Sequence, residues 1–148
     1  MKETKMMSVL TEVISKVLSL MYFLFEDDDE PFEKENDKDY KIFTIDFWDD
    51  KKYRIVFKIH DRIMNLMIEN FEGVEDESLK QGDIISGIRE FVNIVCGNFM
   101  NEFSGKMKMG LPMYSSKEEV QKNECNTLID EKEWWIENSR LFVKIVKC

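Results

Sequence analysis

Apolar residues recur at helical spacing over two long stretches of the chain and alternate at strand spacing between them. From about Thr4 to Phe25, the positions Val9, Leu10, Val13, Ile14, Val17, Leu18, Met21 and Leu24 fall on one side of a helix. Tyr40 to Phe47 has strand period, with Phe43, Ile45 and Phe47 opposite Ile42, Thr44 and Asp46. A turn at Asp49-Asp50-Lys51-Lys52 leads into Tyr53 to His60, rich in β-branched and aromatic residues, so the two strands predict a hairpin. Asp61 is placed to cap a short helix through about Phe71, with Ile63, Leu66, Met67 and Phe71 on one face and Gly73 as its stop. A second long helix starts between Ser78 and Asp83 and runs to about Phe103, where Gly105 ends it. Its buried face is Ile84, Ile88, Phe91, Val92, Val95, Phe99 and Phe103. Lys106 to Met113 returns to extended structure, because Pro112 cannot sit inside a helix, and Ser115 to Asn123 is polar and reads as a loop or a single helical turn. Glu124 to Ile129, Glu133 to Glu137 and Leu141 to Val146 are the remaining strand candidates. The order predicts an α/β (α+β) fold in which helices, two of them long and amphipathic, pack on one face of a mainly antiparallel sheet. At 148 residues the chain reads as a single domain.

The second long helix carries a polar stripe with chemistry in it. Ser86, Glu90, Asn93 and Gly97 are spaced by four, three and four residues, which places them within roughly a 60° arc opposite the apolar face. Asn98 follows directly. A polar stripe on the outer side of an amphipathic helix is ordinary, but its composition is not. Asn is a mediocre helix former, and Gly87 and Gly97 each cost about 1 kcal/mol relative to Ala in a helix interior. Close approach of a partner backbone, or of another helix, would account for the two glycines. The first helix echoes the pattern with Ser8, Glu12 and Ser15, keeping the carboxylate and replacing the carboxamide.

Composition narrows the function. A formal net charge of −9, with no basic patch, argues against nucleic acid and against attachment to anionic lipid. The apolar run of the first helix is interrupted by Glu12 and Lys16 and is too short to span a bilayer, so it is expected to be a core helix of a cytoplasmic protein. Cys96, Cys125 and Cys148 are odd in number and widely spaced, which suits a reducing compartment better than a disulfide framework. Cys96 reads as a small buried hydrophobe, and no lipidation box precedes Cys148. His60 is the only histidine, so a histidine-based triad or a multi-histidine metal site is excluded; it reads as a strand-end residue that points to solvent or caps the next helix. No glycine-rich phosphate loop is present. The acidic run from Glu26 to Asp39 lacks the glycine and spacing of a calcium loop and reads as a solvated connector. In Trp134-Trp135, alternation puts one ring in the core and the other at an edge.

Ser86-x-x-x-Glu90-x-x-Asn93, the following Gly97-Asn98 and Gly110-Leu111-Pro112 resemble the chemotaxis phosphatase family typified by CheX, which is related to CheC and to a flagellar switch phosphatase. The order of elements fits that family over most of the chain, and the specific part spans about thirty residues. The resemblance implies a phosphatase that hydrolyses the aspartyl phosphate of a CheY-like response regulator. In this reading Glu90 pairs with the regulator's lysine, Asn93 holds the attacking water, and Ser86, Gly97 and Asn98 support partner binding. No cofactor or metal of its own is implied, since magnesium belongs to the regulator. The resemblance also implies a homodimer formed through the sheets, with Leu141–Val146 a possible edge, and an inactive second site on the first helix because Ser15 lacks an amide. A non-catalytic module that binds or scaffolds a response regulator is the alternative. The departures are Asn98-Phe99-Met100 after the glycine and the acidic loop 26–39.

Overall fold

The computed structural model describes residues 3–29, 39–73, 80–103, 106–115 and 125–148. A single 3-10 turn (Glu3–Lys5) leads into α1 (Met6–Tyr22), followed by the hairpin β1 (Tyr40–Trp48) and β2 (Lys52–His60), then α2 (Asp61–Glu72) and α3 (Gln81–Phe103). Two short strands, β3 (Lys108–Met109) and β4 (Met113–Ser115), precede the closing hairpin of β5 (Thr127–Ile136) and β6 (Ser139–Lys147). The strands form one six-stranded sheet in the order β3-β1-β2-β6-β5, with β4 also on β1, and every pairing is antiparallel.

Strand alternation decides which side of the sheet takes the helices. Phe43, Ile45 and Phe47 of β1, Ile55, Phe57 and Ile59 of β2, and Leu141, Val143 and Ile145 of β6 join the buried faces of α1, α2 and α3 in one core. On the opposite face Ile42, Val56 and Val146 form a small separate cluster with Cys125 beside it. The apolar stripe of α3 lies deepest: Ile88, Phe91, Val92, Val95 and Phe99 are fully buried. Phe99 meets Phe47 edge-on at 5.3 Å and Phe91 meets Phe57 at 6.0 Å. Each such ring contributes about 2–3 kcal/mol by burial alone.

Several sequence expectations change in detail. The helix expected to reach Phe25 ends at Tyr22, because Phe23 adopts the left-handed conformation (φ 54°) and its amide caps Leu18 O. The cap of α2 is His60 rather than Asp61: its ring Nδ1 accepts the Arg62 amide at 3.1 Å, while Asp61 pairs with Lys41 at 2.9 Å. Gly73 ends α2 with φ 68°, as its sequence position implies. Phe71, expected on the buried face of α2, is 55 % exposed, because the last turn projects past the end of the core. The expected stop at Gly105 and most of Ser115–Asn123 lie outside the described residues. The two strand candidates at 124–129 and 133–137 merge into one strand, β5 (Thr127–Ile136), with a register shift between Leu128 and Asp130 that a period-two pattern cannot cross; Glu124 lies outside the described residues. Leu141–Val146 is not an edge: β6 lies between β2 and β5. The open flanks are β5 on one side and the broken strand β3/β4 on the other, interrupted at Gly110-Leu111-Pro112.

The cysteine arithmetic also fails. Cys125 and Cys148 form a disulfide, and only Cys96 is free, buried on the core side of α3. The pair is 23 residues apart in sequence, but Thr127 lies opposite Lys147 in the β5–β6 ladder, so the flanking cysteines arrive together. Spacing along the chain carries no trace of this. Burial, with a smaller contribution from Asp46, pushes the Cys96 thiol up to about 12, as expected of an inert core residue. The first residues of the acidic run are not a free connector either. The Asp27 carboxylate accepts the amides of Glu137 and Asn138 at 3.2 and 3.0 Å, holding the β5–β6 turn, and residues 30–38 lie outside the described set. Closing a loop of this length by disulfide stabilises a fold by about 3 kcal/mol on the chain-entropy model. Cys148→Ser, or added reductant, is therefore expected to lower the urea midpoint, and a midpoint unmoved by reductant would show that the pair is not bonded in solution.

Candidate functional site

The opposite face of α3 is the one the core leaves in water. Ser86, Glu90 and Asn98 are exposed, and Asn93 and Gly97 are half-exposed. Because seven residues of the same helix are buried in the core, the backbone beneath Glu90 and Asn93 is fixed while their side chains remain reachable. The structure thus keeps Ser86, Glu90, Asn93 and Gly97 on one face of the helix, while Asn98 turns about 100° away, toward α1.

The two interior glycines of the helix separate cleanly. A Cβ on Gly87 would stand 2.3 Å from Ile68 Cδ1, so this glycine lets α2 pack against α3. A Cβ on Gly97 would meet nothing within 4 Å. The fold therefore gives Gly87 a reason and gives Gly97 none, although each costs the helix about 1 kcal/mol.

Glu90 sits beside a junction of three aromatic rings. Tyr22, at the end of α1, meets Phe91 edge-on at 5.5 Å and Phe71 of α2 at 5.6 Å. Burial, and then the nearby Glu90 charge, push the Tyr22 hydroxyl up to about 12. Further along, α1 runs antiparallel to α3 and the two enclose a groove of about 200 Å³ between Val13, Val17, Leu20 and Met21 on one side and Asn98 and Glu102 on the other. Leu20 at its rim is 68 % exposed. Sequence reasoning missed this apolar flank: Leu20 falls outside the apolar face assigned to the first helix and takes no role there, and Phe71 reads as a core residue.

The echo on α1 has a different use. Ser8, Glu12 and Ser15 are exposed, but the Trp134 indole N–H is directed at Ser15 Oγ at 3.4 Å. Trp134 is 1 % exposed and Trp135 half-buried, so the one-in, one-out reading of the pair holds. A buried indole needs an acceptor, and the serine at the third position of the echo serves as one.

A larger recess of about 620 Å³ lies away from the motif, under the β1–β2 turn beside Gly110 and Leu111. Its half-buried carboxylate, Asp46, is already occupied. Burial pushes Asp46 up, but two hydrogen bonds from Arg54 at 2.6 and 3.0 Å, and the charges of Arg54 and Lys52, more than offset this and hold it below the usual carboxylate range. Among the described residues, no three His, Cys, Asp or Glu side chains converge as a metal site would require, and no helix is long and apolar enough to cross a membrane.

The α+β layer thus presents a carboxylate and a carboxamide one turn apart on the solvent side of α3. The family model for the chemotaxis phosphatase CheX matches residues 42–130, and the chain belongs to that family. The fold is shared with solved relatives of low identity. CheX from Vibrio vulnificus superposes with a TM-score of 0.76 at 12% identity, covering 97% of this chain and 99% of that one. CheX from Desulfovibrio desulfuricans gives 0.69 at 11% identity over 97% and 99%. The Borrelia burgdorferi CheX, solved in complex with CheY, BeF3 and magnesium, gives 0.67 at 11% identity over 95% and 96%. The curated proteins include no significant match to this sequence.

The proximity of Glu90 to Tyr22 has a measurable sign. Removing a negative charge eases ionisation of a neighbouring phenol, so Glu90→Gln is expected to lower the Tyr22 value from about 12 toward the ordinary tyrosine range. Ring-carbon NMR titration reads this directly, and an unmoved Tyr22 would place the carboxylate elsewhere.

Proposed function

We propose that the protein hydrolyses the aspartyl phosphate of a CheY-like response regulator, with α3 as the element that enters the regulator's phosphorylation pocket. The observation that carries this reading is the exposure of Glu90 and Asn93 together, one turn apart, on a helix fixed by its buried side. Family membership supports the phosphatase class, and the CheY complex of the Borrelia burgdorferi relative supports the partner class.

An acyl phosphate is already activated, and phosphoryl transfer asks little covalent chemistry of the protein. What remains is positioning. The Glu90 carboxylate pairs with the regulator's active-site lysine, which anchors α3 and draws that lysine from competing contacts. The Asn93 carboxamide then holds a water in line with the phosphorus. A carboxamide suits this place because it donates and accepts hydrogen bonds without adding negative charge beside a phosphoryl group. Ser86, Gly97 and Asn98 continue the same contact surface. Magnesium sits on the regulator, and the phosphatase needs no cofactor of its own. With such a partner the protein would work in the cytoplasm, where the Cys125–Cys148 bond is an unusual feature. A homodimer through sheet edges would use the β5 or β3/β4 flank, where Leu111, Met113 and Tyr114 are exposed.

Phosphate release from a CheY-like receiver domain phosphorylated with acetyl phosphate tests the reading. Wild type is expected to accelerate release, Asn93→Ala to lower the rate by about 100-fold or more with binding retained, and Glu90→Ala to weaken binding by about tenfold or more. Binding without any acceleration by wild type would favour a sequestering or scaffold module, and the absence of both would sink the two together.

A further inference from the structure

We infer that the regulator makes a second contact beyond the Glu90–Asn93 pair: its backbone crosses α3 at Gly97 and one of its apolar side chains enters the groove between α1 and α3. This extends the phosphatase reading and rests on it. The first support is Gly97 itself. It lies one turn beyond Asn93 on the same face, half-exposed, in a helix interior where glycine destabilises. Gly87 shows what a glycine explained by internal packing looks like, with a neighbour 2.3 Å from its would-be Cβ, whereas Gly97 faces open space. A side chain is missing there without benefit to the monomer.

The second support is independent of the first. Beside Gly97, on the flank toward α1, the surface is apolar where a free helix pair would be polar. Leu20 is 68 % exposed, Met21 and Ile94 are half-buried, and Val13 and Val17 floor a groove of about 200 Å³. That volume accommodates an aliphatic or aromatic side chain rather than a helix. Asn98 and Glu102 form its far wall, with Lys16 on the near side, giving the rim both signs of charge. The surface is continuous with the proposed catalytic face, because Asn93, Ile94, Gly97 and Asn98 share two successive turns of α3. A receiver domain seated with its phosphorylation pocket over Asn93 has to lie over these turns as well. The occupant is therefore the same regulator, not a separate partner.

The contact predicts a split between docking and chemistry. The probes are a CheY-like receiver domain loaded with beryllofluoride and magnesium, for equilibrium binding, and the same domain phosphorylated with acetyl phosphate, for turnover. Gly97→Gln fills the notch and Leu20→Glu charges the rim, and neither position is needed by the core. Both variants are expected to melt no lower than wild type, to raise Kd and KM by about tenfold or more, and to keep kcat within about threefold at saturation. Asn93→Ala is expected to do the reverse, binding normally and turning over slowly. If wild type is active and both variants keep its Kd and KM, the second contact is refuted while the phosphatase reading stands. A loss of kcat alone in Gly97→Gln would also refute it, since the glycine would then be shaping the Asn93 geometry. If wild type neither binds nor accelerates release, the phosphatase reading fails and this inference falls with it.

Discussion

The burial of one face of α3 governs the rest of the molecule. Phe91 and Phe99 are held edge-on by Phe57 and Phe47 from the sheet, and Ile88, Val92 and Val95 fill the space between. That packing fixes the rotation of the helix about its own axis as well as its position. A turn of one residue, about 100°, would carry Glu90 to the aromatic junction and swing the fully buried Val92 out to solvent. The direction in which Glu90 and Asn93 point is thus a by-product of hydrophobic packing on the far side of the same helix. Surface geometry of this kind needs no hydrogen-bonded framework at the site itself.

Legibility followed the range of the interactions involved. The α3 stripe, the β1–β2 hairpin and the alternation of Trp134 and Trp135 are set by residues within a few positions of one another, so periodicity alone recovers them. What escaped was set across the chain. The Cys125–Cys148 pair depends on the β5–β6 register, and the capture of the β5–β6 turn by Asp27 joins residues about 110 apart in sequence. Leu141–Val146 has the composition of an edge or an interior strand equally, and only strand order decides between them. At the site, the residue types and their shared face were legible from spacing. The apolar flank was not, because exposure of Leu20 and Phe71 depends on where α1 and α2 end relative to the core. The His60 cap shows the same limit on a smaller scale, since either of two adjacent residues fits the capping position and backbone geometry selects one.

The two long helices show how similar patterns come to differ in use. Both are amphipathic and both carry a carboxylate at the middle of a polar stripe, but they face different neighbours. The groove and the aromatic junction lie along α3 on its shared border with α1. The Ser15 position of α1 instead overlooks β5 and the buried indole of Trp134. Proximity to a sheet edge adds to the exchange of Asn93 for Ser15 in separating the two surfaces.

That contact has a consequence for the Ser15 position. A carboxamide placed at Ser15 would meet the Trp134 N–H, and its oxygen would share its lone pairs with the indole. Any side chain at this position therefore answers first to a buried ring of the sheet. The polar stripe of α3 is left in water, while that of α1 is tied to the core at one of its members.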